Sequence, residues 1–128
     1  MQYDYTKKTT LPFEDAVARI KETLAVEGFG VLTEIDVKAT MKAKIGIDYD
    51  NYIILGACNP HFAHKALQED KKIGLLLPCN VIVYEDSSDT YVSVILPSAA
   101  MSVVESEPLA ETAKEVEAKL KRALDMVV

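Results

Sequence analysis

Val81-Ile82-Val83-Tyr84-Glu85-Asp86-Ser87-Ser88-Asp89-Thr90-Tyr91-Val92-Ser93-Val94-Ile95-Leu96 is a pair of apolar runs around a polar tetrad. Val, Ile and Tyr suit a pleated surface. Asp and Ser suit turns, because their short side chains bond to nearby backbone. The pattern predicts strands over Val81–Tyr84 and Tyr91–Leu96, joined by a hairpin at Asp86–Asp89. Strands joined this closely run antiparallel, since a parallel pair needs a crossover of a dozen or more residues. A doubly wound parallel sheet is therefore disfavoured.

Working outward, Ile73–Leu77 reads as a further apolar strand, broken by Pro78 and resumed at Val81. Tyr52-Ile53-Ile54-Leu55-Gly56-Ala57 is continuously apolar, the pattern of a central strand buried on both faces. Between these runs Asn59 is expected to cap a helix, with Pro60 in its first position and an end near Asp70. Phe29–Ile35 reads as a strand. Asp36 then caps a short helix with Val37, Met41 and Ile45 on one stripe and Gly46 as its stop. Earlier still, Pro12 opens a helix whose stripe is Phe13, Val17, Ile20 and Leu24, stopped at Gly28, and Gln2–Thr9 alternates as a short strand. After the hairpin, Pro97 ends the strand, and Ser98–Glu105 fits neither period. Pro108 opens a long C-terminal helix with Leu109, Val116, Leu120, Ala123 and Val127 inward. The expected architecture is one α+β domain over residues 1–128, a mixed or mainly antiparallel sheet with helices packed on it.

Composition sets limits on function. The chain has 128 residues, 49% of them apolar, enough for one core-bearing domain. Its 20 acidic and 14 basic residues give a net charge of −6, which argues against a phosphate backbone as partner. Basic residues cluster between Lys114 and Arg122, but Glu115 and Glu117 interleave with them, as on a solvated helix face. The apolar run Ile73–Val83 is interrupted by Gly74, Pro78 and Asn80, and it falls short of the ~20 residues a membrane span needs. The first residues lack the charged-then-apolar layout of a signal peptide, so a cytoplasmic protein is expected.

Cys58-Asn59-Pro60 and Pro78-Cys79-Asn80 hold the only two cysteines, each at an element end beside an Asn and a Pro. Side chains from different segments converge at such ends, so these six residues form the candidate ligand site. The start of the helix after Cys58 would favour a thiolate there, making it a reactive or metal-binding sulfur. The plainer alternative is that both cysteines fill space, as free cysteines commonly do. Pro78 cannot donate to a sheet ladder and marks a bulge, an edge or a simple change of direction. Asn59 is most simply a cap. Asn80 either serves a turn or holds a polar group of a ligand.

His61 and His64 stand three apart and share a helix face. With the cysteines they make a Cys58-x2-His61-x2-His64-x14-Cys79 set, two sulfurs and two nitrogens for zinc or another soft metal. The spacing is not that of a zinc finger, and two exposed helix histidines explain it as well. Gly28-Phe29-Gly30 precedes a strand, the wrong context for a dinucleotide fingerprint, and no Ser-His-Asp arrangement or acid–base pair is evident.

Gly28-Phe29-Gly30-Val31, Glu34-Ile35-Asp36-Val37, Gly56-Ala57-Cys58-Asn59-Pro60, Ala63, Ala66-Leu67 and Leu76-Leu77-Pro78-Cys79 together resemble the family catalogued as domain of unknown function 302. The resemblance spans residues from about 10 to 105, and its cysteine segments are the most specific part. It implies a compact α+β domain likened to the TATA-binding-protein fold, with helices on one side of a curved sheet. It also implies a homodimer. It implies no activity, and it gives the two histidines no place. DNA binding does not follow from a fold likeness, and the chain is acidic.

Three functions remain in order of preference. The first is a non-catalytic binding module with a Cys58/Cys79 pocket for a soft metal ion or small ligand. The second is a dimeric interaction domain with inert cysteines. The third is a thiol-redox protein with Cys58 attacking and Cys79 resolving, although the pair is not Cys-x-x-Cys.

Overall fold

A computed structural model describes residues 2–128. Five strands form one sheet in the order β1-β5-β4-β3-β2: β1 (Asp4–Thr9), β2 (Gly30–Asp36), β3 (Tyr52–Cys58), β4 (Cys79–Asp86) and β5 (Asp89–Ile95). Every neighbouring pair is antiparallel. The hairpin expectation holds: Asp86 pairs with Asp89, and Ser87 and Ser88 alone make the turn. Both serines have positive φ, 51° and 71°, as the twist of a two-residue hairpin requires.

The helices are α1 (Phe13–Val26), α2 (Val37–Ile45), α3 (Pro60–Glu69), the short α4 (Pro97–Ala100) and α5 (Glu107–Asp125). Asp36 caps α2 as expected, its carboxylate accepting from the Ala39 backbone N–H at 2.9 Å. Ser106 caps α5 through the Leu109 N–H, so the long helix starts one residue before Pro108.

Strand alternation sends Leu55, Ala57, Val81, Val83, Val92 and Val94 to the face that α1 and α5 cover. Ile20 and Leu24 meet them from α1, and Leu120, Ala123 and Leu124 from α5. The expected inward stripe of the C-terminal helix is buried throughout, including Val127 just past its end. The opposite face carries Tyr52, Tyr84 and Tyr91, stacked across three strands at 5.6 and 5.3 Å between ring centroids. β3 is therefore fully enclosed only over Leu55–Ala57, while Tyr52 and Ile54 are half-buried.

One expected strand is absent. Ile73–Leu77 lies largely in a 3-10 helix, Lys71–Leu76, started by the Asp70 carboxylate accepting from the Lys72 N–H at 2.9 Å. Ile73 is buried beside Ala66, Met101 and Leu109, with Leu76 packed on the same cluster and Leu75 left in solvent. That three-residue spacing is the 3-10 period, not strand alternation. β4 consequently begins at Cys79, two residues before the expected start. The ambiguous Ser98–Glu105 stretch is mostly helical, completing α4 and a further 3-10 turn at Met101–Val103. No helix among the described residues is long and apolar enough to cross a membrane.

Candidate ligand-binding cavity

Sheet register brings the two cysteine segments together. Ala57 pairs with Cys79, and Gly56 with Asn80, so Cys58 and Cys79 end adjacent strands. Gly56 permits this arrangement. A Cβ at that position would collide with Thr33 Oγ1 and Pro78 Cγ, so only glycine lets Pro78 lie against the strand. The Leu77–Pro78 peptide is cis.

Between these strand ends and the helices lies a half-open cavity of about 40 Å3. Cys58, Asn59, Pro78 and Cys79 line it from the sheet side. Phe62, Ala63 and Ala66 line it from α3, and Thr112, Ala113 and Val116 from α5. Phe29 and Met101 are also part of the lining. At roughly 10–15 Å3 per water, the space holds about three waters or the head of a small molecule.

Asn59 and Thr112 are the polar side chains of this apolar wall besides the two thiols. Asn59 occupies the N-cap position of α3 with extended backbone, yet its side chain makes no cap hydrogen bond. The expected cap is thus positional only. The Nδ2 side abuts Gly28, where an added Cβ would come within 3.1 Å of it. Gly28 has φ +86°, so glycine there both makes the turn and clears space for the amide. The Asn59 Oδ1 is left buried with no hydrogen-bond partner. Such an atom typically costs about 1–3 kcal/mol, and native proteins hold few of them.

Burial pushes the Cys79 thiol up to about 11, and the neighbouring Cys58 adds to the shift. Cys79 is therefore a thiol at neutral pH. The two cysteines are free. A resolving thiol with so little thiolate attacks a mixed disulfide slowly, so the redox reading draws no support from Cys79.

The four-residue metal set is not assembled. His61 and His64 are exposed and do not line the cavity. They share a helix face as expected, but α3 turns Phe62, Ala63 and Ala66 inward, which rotates the histidines to solvent. Among the described residues, no three of His, Cys, Asp and Glu converge on a point that can hold a metal ion. The four-ligand shell that zinc takes in a structural site is not provided. Of the other expected site residues, Pro60 opens α3 at the surface. Asn80, one residue on from Cys79, is exposed and borders an adjoining groove.

Sequence reasoning missed Phe29, Phe62, Thr112 and Ala113. A signal was available in α5, whose inward stripe skips from Leu109 to Val116 with only the small Thr112 and Ala113 at the stripe positions between. A gap in a stripe of large residues leaves room opposite it.

The family model described as domain of unknown function DUF302 matches residues 5–127. Among solved structures, the chain is similar to the crystal structure of an uncharacterized conserved DUF302 protein from Bacillus stearothermophilus. The two are 29% identical, each is covered over 100% of its length, and the TM-score is 0.94. Among curated proteins nothing matches.

Proposed function

The chain belongs to the DUF302 family, and we propose that it is a non-catalytic binding module whose Cys58/Cys79 cavity takes a small organic ligand. The observation that carries this reading is the apolar cavity between the two cysteine segments and the helices, with Asn59, whose Oδ1 is buried without a hydrogen-bond partner, among its lining residues. A purely structural core would be filled, and its polar groups paired. Of the two occupants a cysteine pair suits, the small ligand fits better. A soft metal ion needs further ligands beside the two sulfurs, and among the described residues no three of His, Cys, Asp and Glu converge on a point.

Ligand-observed NMR with a fragment set tests the reading, with Ala113→Met as the blocked control. Fragments that bind the native protein and not the variant are expected. An absence of hits, or hits indifferent to the variant, contradicts it. Metal analysis of protein purified without a chelating tag is expected to find less than stoichiometric zinc; one zinc per chain would contradict the choice of occupant.

A second reading, a homodimeric interaction domain, is supported at α2, which begins at the end of β2 away from Cys58. Helix α2 has no buried residue, although a helix of nine residues is marginal without packing. Ile35, Ile45 and Ile47 expose about half or more of their surface nearby in sequence. Sedimentation of the native protein and of Ile45→Asp tests it. A dimer that the variant dissociates is expected, and a native monomer at high concentration contradicts it.

A further inference from the structure

Two surfaces of this chain lack cover, and they complement one another. One is the sheet face turned away from α1 and α5. Register places Ile35, Ile54 and Ile82 in one row across β2, β3 and β4. Tyr52, Tyr84 and Tyr91 form the next row across β3, β4 and β5. Ile54, Ile82 and the three tyrosines are half-buried, and Ile35 is 48% exposed. Charge appears at the margin of this face, as Asp4 and Lys8 on β1 and Asp86 at the end of β4. A centre of apolar and aromatic side chains inside a charged rim is the anatomy of a protein–protein interface.

The other surface is α2. Its nine residues include Lys38, Lys42 and Lys44 and no acid, in a chain of net charge −6. Val37, Met41 and Ile45 recur at four-residue spacing along one stripe. At about 100° per residue, Lys38 and Lys44 fall on either side of that stripe. Lys42 pairs with Asp48 at 3.0 Å, but among the described residues Lys38, Lys44, Asp4 and Asp86 form no ion pair. Unmatched positive charge thus flanks the helix stripe, and unmatched negative charge edges the sheet face. The sizes agree: nine residues make a helix of about 14 Å, against a breadth of about 24 Å for five strands.

Within one chain neither surface satisfies the other, since α2 has no buried residue and Ile35 stays exposed. A second copy supplies both at once, because a twofold contact uses the same two surfaces on each side. Building on the dimer reading above, we propose that α2 of each copy lies across the Ile54/Ile82/Tyr84 face of the other, with Lys38 and Lys44 meeting the acidic margin at Asp86.

Crosslinking between two single-cysteine variants tests this docking. Ile45→Cys and Ile82→Cys are each made in a Cys58→Ala, Cys79→Ala background that sediments as the native protein does. The two are mixed at low concentration to exchange subunits, concentrated, and treated with a short bis-maleimide. Crosslinked dimer is expected from the mixture and not from either variant alone. Lys38→Glu with Lys44→Glu is expected to weaken dimerisation about tenfold, as exposed ion pairs become repulsive. Adding Asp86→Lys is expected to recover part of that loss, and no recovery overturns the charge match. Crosslinking of Ile45→Cys alone, or of Ile82→Cys alone, shows that like surfaces meet and overturns the reciprocal docking while the dimer stands. A dimer that gives no mixed product does the same. A native protein that sediments as a monomer overturns the dimer reading itself.

Discussion

Midway along the sheet, Leu55, Val81, Val83 and Val94 meet Ile20, Leu24, Leu120 and Leu124, and none is more than 1% exposed. One strand end away, Ala57 and Cys79 meet Ala63, Ala66 and Ala113, and about 40 Å3 stays unfilled. The backbone elements are shared: β3, β4 and α5 pass through both regions. What differs is side-chain volume, large and branched in the middle and small at the end. The cavity is thus written into the sequence as a run of small residues on facing elements, at a cost of ~1 kcal/mol at 24 cal/mol per Å3.

The sharpest way to break the comparison is to create a void in the filled region. Leu120→Ala is expected to destabilise by about 2–5 kcal/mol in urea unfolding, because a fully buried Leu leaves a cavity that only partly collapses. A loss under ~1 kcal/mol would mean the middle is no better packed than the end.

Next in size is the pH response of the cavity end. The Cys79 thiol rises from an ordinary value of 9.0 to about 11, so the native state keeps its proton longer than the unfolded chain. The stability this supplies is complete below pH 9 and is lost as pH rises towards 11. The loss is about 2–3 kcal/mol at 1.36 kcal/mol per unit. Cys79→Ala should flatten that part of the unfolding profile, and an unaltered slope would show that Cys79 is not buried as a thiol.

Filling the empty end should act in the other direction. Ala113→Met is expected to raise stability by up to about 1 kcal/mol while abolishing fragment binding. Destabilisation with binding intact would show that Ala113 does not face usable space. The smallest effect belongs to a control remote from both regions. Ser87→Asn with Ser88→Gly places favoured residues at two positive-φ positions and should add about 0.5–1 kcal/mol without altering ligand binding.

Much of this frame was legible in the sequence, because its signals are local. The Asp86–Asp89 turn, the Asp36 cap and the α5 stripe each follow from a few neighbouring residues. That the Cys58 and Cys79 segments lie side by side was legible because Pro and Asn beside each cysteine marked element ends. The failures were matters of partner and orientation. Ile73–Leu77 is apolar under either period, and only its packing against Ala66, Met101 and Leu109 selects the 3-10 turn. His61 and His64 do share a face, but the burial of Phe62 and Ala66 decides that this face meets solvent. Asn59 sits where a cap belongs, and the missing cap bond shows only once its neighbours in space are known.

Chemical-shift mapping of the fragment set on the native protein tests the central claim most directly. The account predicts saturable shifts clustered at Ala57, Asn59, Ala63 and Ala113, and their loss in Ala113→Met. Shifts that never saturate, or that scatter over the surface, would contradict a ligand site between the strand ends and the helices.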